Sequence, residues 1–185
     1  MESTQKKMSS TSSPLSIPAP AIAIAVRKGD IHSDSDAARV LFLLSHYAMD
    51  PMGGAEPLSA YTQENLIQRL RLQPTLHFYL AFVDSPDERE AVGMALCFSA
   101  FCTFKCKPLL NIHDFVTLSQ WRNKGVGRAL LATIEDDCRA AGFCKVTLEV
   151  LRNNLEAMAL YGKCGFGPYM LAEAAGPAQF WQKLV

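Results

Sequence analysis

The sequence predicts an α/β domain, and three observations carry that expectation. Segments with the residue alternation of strands and segments with the three- and four-residue spacing of amphipathic helices succeed one another between residues 21 and 185, in the order β-α-α-β-β-β-α-β-α-β-β. With 49% hydrophobic and 19% charged side chains over 185 residues, the chain can bury a substantial core, and no block is long enough for a second one. The run 109–166 passes from strand through a glycine-rich turn to helix, strand and helix, and the rest of the chain is organised around it.

Residues 1–20 are rich in Ser, Thr and Pro and poor in apolar side chains. They cannot offset the entropy of ordering, so a flexible tail is expected there and the folded domain over 21–185. Residues 21–26 alternate in size before Arg27-Lys28-Gly29-Asp30 and read as a first strand with its turn. Ser33, Asp34, Ser35 and Asp36 offer N-caps to a helix whose apolar face is Ala37, Val40, Leu41, Leu44 and Ala48. The segment 50–57 has a Pro near each end and the pair Gly53-Gly54, so it is irregular backbone, and 62–72 then reads as a short helix. Residues 78–83 and 91–101 read as strands of a hairpin around the polar turn 84–88. At the other end, 167–171 and 180–185 are expected to be closing strands separated by Gly176-Pro177.

The apolar strand 109–118 leads into Arg122-Asn123-Lys124-Gly125-Val126-Gly127-Arg128. Beyond this cluster Val126, Leu130, Ile134, Cys138 and Ala141 mark one helical face that stops at Gly142. A helix start leaves backbone N–H groups unpaired at the positive end of the macrodipole, which favours phosphate oxygens. Gly125 and Gly127 remove the Cβ atoms that hold a ligand off the backbone, and Arg122, Lys124 and Arg128 add charged donors. The P-loop pattern is absent, and the dinucleotide fingerprint fails at Leu130, where a small residue is required. What remains is Arg-x-x-Gly-x-Gly. Residues 145–151 read as the next strand, and Asn153 or Asn154 as the cap of a helix on which Asn154, Ala157, Met158 and Tyr161 share a face.

These two patterns, Arg122-x-x-Gly125-x-Gly127 and Asn154-x-x-Ala157-x-x-Leu160-Tyr161-x-x-x-Gly165-Phe166, resemble the two cofactor motifs of the GNAT superfamily of N-acetyltransferases, in the family's order. The resemblance extends over 21–185 and is drawn to the polyamine and histone branch. It implies a mixed, mostly antiparallel central sheet flanked by helices on both faces, with acetyl-CoA as co-substrate. The cofactor contacts it implies are Val116, Leu118, Arg122, Asn123, Lys124, Gly125, Val126, Gly127, Arg128 and Asn154, with the Val116 N–H polarising the thioester carbonyl and Leu118 pairing with the pantetheine arm. The segment 50–57 falls where such enzymes set acceptor specificity; Asp50 and Glu56 would meet a cationic amine there, although solvated loop acids are the commoner case.

Transfer to an amine needs its neutral form, and an alkylammonium holds its proton up to a pKa near 10. His113 and Asp114 are the titratable residues of the central strand. The family has an acidic pair here, so His113 is a departure; its ordinary pKa near 6.5 favours it as base, with Asp114 the alternate. Tyr161 is the candidate acid for the departing thiolate. A packed histidine and a core tyrosine are the structural readings of the same residues. The reaction expected is acetyl transfer to a primary amine, either a small polyamine-like molecule or a protein lysine. The alternative is a coenzyme A-binding sensor or regulatory module without transfer.

Other classes are set aside on composition. The formal charge is zero, and residues 1–100 hold 8 Lys+Arg against 11 Asp+Glu while 101–185 hold 10 against 7, which gives no broad basic face for nucleic acid. No apolar run reaches membrane-spanning length and no secretory leader is read at Met1, so no membrane partner is expected and a cytoplasmic location is. The six cysteines contain no Cys-x-x-Cys pair and the four histidines are scattered, so no metal site is expected. Assembly as a homodimer stays open.

Overall fold

Strands β1 (Ile24–Lys28), β2 (Leu76–Val83), β3 (Ala91–Cys102), β4 (Lys107–Thr117) and β5 (Val146–Leu148) lie side by side in chain order in the computed structural model, which describes residues 22–83 and 90–185. The first four pair antiparallel, and β5 runs parallel to β4 through Leu110↔Val146, Asn111↔Thr147 and Ile112↔Leu148. The expected tail 1–20 and turn 84–88 lie outside the described residues.

Helices α1 (Asp34–Met49) and α2 (Ala60–Arg71) cover one face of the sheet, and α3 (Val126–Ala140) with α4 (Leu155–Lys163) the other. Alternation along β2 divides the core: Phe78 and Leu80 join Val40, Leu43 and Leu44 on the α1 side, while Tyr79, Ala81 and Val83 join Leu130, Ile134 and Cys138 on the α3 side. Ser33 is the N-cap of α1, its hydroxyl accepting from Asp36 N–H, and Ser59 caps α2 by accepting from Thr62 N–H. α3 ends as the sequence expects, with C-cap Ala141 followed by Gly142 at φ +74°. Among the described residues no helix is long and apolar enough to cross a membrane.

Two register shifts shape the sheet. Ala81 pairs with Gly93 and Phe82 with Ala91, so Val92 is an extra residue on β3; Leu96 pairs with Asp114 and Cys97 with Ile112, so His113 is an extra residue on β4. The second bulge reverses the parity of β4. Leu110 and Ile112 sit in the α3-side core, whereas Val116 and Leu118 sit in the α1-side core.

The bulge also ends β5. Its ladder stops at Ile112↔Leu148, one residue before His113, so the strand expected over 145–151 shortens to three residues. The expected closing strands do not form: 167–185 shows only a bridge Met170↔Pro177 and a turn of 3-10 helix at Glu173–Ala175, with Leu171, Phe180 and Trp181 exposed. A strand needs a ladder partner, and so short a β5 offers little edge to extend along.

Candidate active site

Beyond Ile112, β4 has no partner on its β5 side among the described residues, and this open edge is the floor of the site. Leu118 N–H donates to Val92 O at 2.9 Å, and Trp121 N–H donates to Leu118 O at 2.8 Å. The N–H of Leu118 is thus turned toward β3 and away from the open edge. Antiparallel ladders alternate, so Val116, which pairs with Met94 two residues earlier, also turns its N–H toward β3. The amides that face the open edge are instead those of Phe115 and Thr117. A one-residue bulge at His113 is enough to cause this shift, and nothing in the residue types announces it.

The start of α3 closes one end of the edge. α1, α2 and α4 each carry a side-chain cap, from Ser33, Ser59 and Asn154; α3 has Gly125 at its N-cap and no capping side chain. Gly125 adopts φ +95°, ψ −7°, which a side chain resists, and this left-handed turn aims the first-turn N–H groups of Val126, Gly127 and Arg128 outward. The helix's first internal bond is Ala129 N–H to Gly125 O at 3.0 Å. Asn123 is also left-handed, at φ +59°. Lys124 Nζ lies 4.7 Å from the centre of the Trp121 ring, and Arg128 is exposed on the first turn of α3. Such a helix start is a fitting cradle for a diphosphate. Gly127 answers a packing constraint instead: a Cβ there would meet Leu160 Cδ2 at 2.8 Å and Phe115 at 3.4 Å, so its hydrogen lets α3, α4 and β4 converge.

Arg122 does not point into that cradle. Its Nη2 donates to Asp50 Oδ2 at 2.6 Å and its Nε to Thr117 O at 3.2 Å. The guanidinium in turn holds the Asp50 carboxyl below the usual carboxylate range. The sequence assigns these two residues to different ligands, and the fold pairs them with each other.

α4 brings Tyr161 to the opposite wall. Asn154 caps this helix, accepting from Ala157 N–H at 3.2 Å, so its carbonyl oxygen is engaged in the cap. The Tyr161 ring packs edge-on to Phe115 at 5.8 Å between centroids and against Phe166 at 6.0 Å. Burial, then the nearby Tyr47 phenol, push its pKa up to about 12. His113 is exposed with its ring edge-on to Phe98 at 5.7 Å, and Asp114 is half-buried. Burial raises the Asp114 pKa, and neighbouring His113 pulls it back only in part.

Sequence reasoning misses Tyr47. It lies on the last turn of α1, half-buried, and its phenol is raised first by burial and then by the charges of Asp114 and Asp50. One signal is available: Tyr47 and Asp50 are three residues apart at a helix end, so they share a face. Of the expected site residues, Arg122 bonds to Thr117 O and Tyr161 packs on Phe115 beside the open edge, Asp114 lies half-buried within electrostatic reach of Tyr47, and Glu56 stays exposed on its loop.

Comparison with known proteins fits this geometry. Residues 41–166 match the model of the acetyltransferase (GNAT) family. A stretch of 58 residues is 31% identical to an uncharacterized N-acetyltransferase, YobR, of Bacillus subtilis (strain 168); it covers 31% of this chain and 24% of the relative, so the match spans about a quarter of that protein's length. Among solved structures, a probable acetyltransferase superposes with a TM-score of 0.68 at 16% identity, covering 87% of this chain and 98% of the other. An aminoglycoside acetyltransferase from an uncultured soil metagenomic sample gives 0.64 at 15% identity over 88% of this chain and 97% of its own. A ribosomal-protein-alanine N-acetyltransferase from Brucella melitensis biovar Abortus 2308 gives 0.59 at 17% identity over 88% and 98%. At these identities the superpositions speak for the fold alone.

Proposed function

The chain belongs to the GNAT acetyltransferase family, and on that premise we propose that it transfers the acetyl group of acetyl-CoA to a primary amine. The observation that carries the reading is the uncapped start of α3 lying beside the unpaired edge of β4. Acetyl-CoA supplies an activated acetyl thioester. The N–H groups of Val126, Gly127 and Arg128, with the charges of Lys124 and Arg128, hold its diphosphate. The outward amides of Phe115 and Thr117 pair with its extended arm, and the Phe115 N–H is the donor available to a carbonyl oxygen at that edge.

Asp114 takes the base role in this proposal in preference to His113. Burial raises its pKa and its charge acts on the Tyr47 phenol, whereas His113 is exposed on the bulge. Tyr161 keeps its proton through neutral pH and holds it on Oη at the edge lined by Phe115. The polyamine and histone branch expected from the sequence draws no support from the neighbours named above, one of which is an aminoglycoside acetyltransferase and another a ribosomal-protein-alanine N-acetyltransferase.

The test is release of coenzyme A thiol over a panel of spermidine, a lysine peptide and an aminoglycoside. At least one amine is expected to raise release well above the amine-free control, along a pH profile that climbs through a pKa above the ordinary carboxylate range. Asp114→Asn is expected to lose about 100- to 10,000-fold in turnover, with His113→Ala far less affected. The reverse pattern returns the base to His113. Coenzyme A binding with no amine-dependent release would replace the transferase reading with that of a binding module.

A further inference from the structure

Both carboxylate oxygens and the backbone oxygen of Asp50 accept hydrogen bonds within the protein. Oδ2 accepts from Arg122 at 2.6 Å and Oδ1 from Met52 N–H at 2.8 Å, while its backbone oxygen accepts from Gly53 N–H at 2.8 Å and Ala55 N–H at 3.0 Å. Its side chain is 18% exposed. A carboxylate so occupied is poorly placed to bind a cationic acceptor, and an arginine so occupied is poorly placed to bind phosphate. Arg122 makes its second bond to Thr117 O, on the open edge of β4 where the backbone is expected to meet the thioester arm. The chain Met52, Asp50, Arg122, Thr117 thus ties the loop following α1 to the edge of β4. An ordinary surface pair contributes little, but here a planar guanidinium is fixed by two acceptors of known orientation and the carboxylate is largely shielded.

We propose that Asp50 is a positioning residue of the transfer reaction: by gripping Arg122 it holds the loop 50–56 against the end of β4 and so sets where the acceptor amine stands relative to the acetyl group. The inference rests on the transferase reading for its kinetic consequence and on the observed hydrogen bonds alone for its structural one. The loop carries Gly53-Gly54 and no buried side chain; its backbone bonds, from Gly53 and Ala55 N–H to Asp50 O and from Glu56 N–H to Ala48 O, tie it to the end of α1, and the pair of Asp50 with Arg122 is what ties it to β4. Displacement of a reacting group by about 1 Å can cost as much as 100-fold in rate.

The experiment is a double-mutant cycle of Asp50→Asn, Arg122→Gln and the pair. In the kinetic arm, at saturating acetyl-CoA and with the best amine of the panel above, each single variant is expected to lower kcat/KM for the amine about 10- to 100-fold and the pair to be no worse than the poorer single. Coenzyme A affinity by calorimetry is expected to move less than about 3-fold in Asp50→Asn. Multiplying losses, or a fall in coenzyme A affinity as large as the fall in kcat/KM, overturns the proposal. In the structural arm, amide hydrogen exchange over 50–56 is expected to quicken in Arg122→Gln as it does in Asp50→Asn, although Arg122 lies outside the loop. Unchanged exchange in Arg122→Gln overturns the brace even if the enzyme is an active transferase. Absence of turnover with every amine overturns the transferase reading, and the exchange arm then decides the brace by itself.

Discussion

Tyr161 combines a ring fixed on two sides with a phenol whose pKa burial lifts to about 12, so its proton is present throughout the neutral range. Removing the hydroxyl alone, in Tyr161→Phe, leaves the contacts with Phe115 and Phe166 in place. General acids contribute about 100- to 10,000-fold, and kcat is expected to fall by that order with coenzyme A affinity nearly unchanged. Calorimetry alongside single-turnover kinetics checks both halves; a near-normal chemical step would make Tyr161 a packing residue. The placement of this residue was legible in the sequence because Asn154, Ala157 and Tyr161 fall on one helical face. Tyr47 was not, since its neighbours Asp114 and Asp50 meet it only after α1 has packed on β4. Arg122 illustrates a different limit. Its type and position suited phosphate, but a long cationic side chain at the edge of a site goes to whichever acceptors the fold brings within reach, here Asp50 and Thr117.

At the scale of elements, two glycines two residues apart serve different physics. Gly125 holds a left-handed turn at φ +95° with space around it, so its cost on substitution is conformational. Gly127 is helical, and its constraint is the 2.8 Å approach that a Cβ would make to Leu160 Cδ2, the end of a flexible side chain. Gly125→Ala is expected to lower the unfolding free energy by about 1–2 kcal/mol. Gly127→Ala is expected to cost less, because the helix propensity gained, about 1 kcal/mol, offsets the movement forced on Leu160. Urea denaturation of both variants decides: an equal or larger loss at Gly127 would mean that the contact of α3 with α4 cannot yield. The helices were legible because caps and periodicity are local. β4 was legible as a strand but not in its register, since the bulge at His113 arises from cross-strand pairing and shifts each later side chain to the opposite face. The segments 167–171 and 180–185 have strand composition but lack a ladder partner, and composition carries no information about partners.

Across the whole molecule, the α/β class, the helices on both faces and the central run were readable from alternation and motif order, whereas the ties between distant segments were not. Asp36 shows why. In the sequence it is one of four N-cap candidates, and in the fold it is 2% exposed and joins three segments. Arg27 of β1 grips it with two bonds at 2.6 and 2.7 Å, Arg39 of α1 adds one at 2.9 Å, and Asp30 N–H adds another at 3.1 Å. Both guanidinium groups also lie over the Phe82 ring, at 5.1 and 5.5 Å. The Arg27 hydrogen bonds chiefly, against the opposing effect of burial, lower the carboxyl to about 2. A folded-state pKa below the unfolded value, near 3.9, stabilises the fold fully above that unfolded value and loses the contribution as pH falls through the folded one. The shift corresponds to about 2 kcal/mol at pH 7, of which roughly half remains at pH 3. Asp36→Asn removes the titration and takes the counter-charge from the paired hydrogen bonds of Arg27, so it is expected to be less stable than the parent chain by at least that amount at neutral pH. The gap in urea-unfolding free energy between parent and variant is expected to narrow by about 1 kcal/mol between pH 7 and pH 3. A gap that stays constant over that interval would mean that Asp36 contributes through packing and neutral hydrogen bonds, and that β1 is held to α1 without its charge.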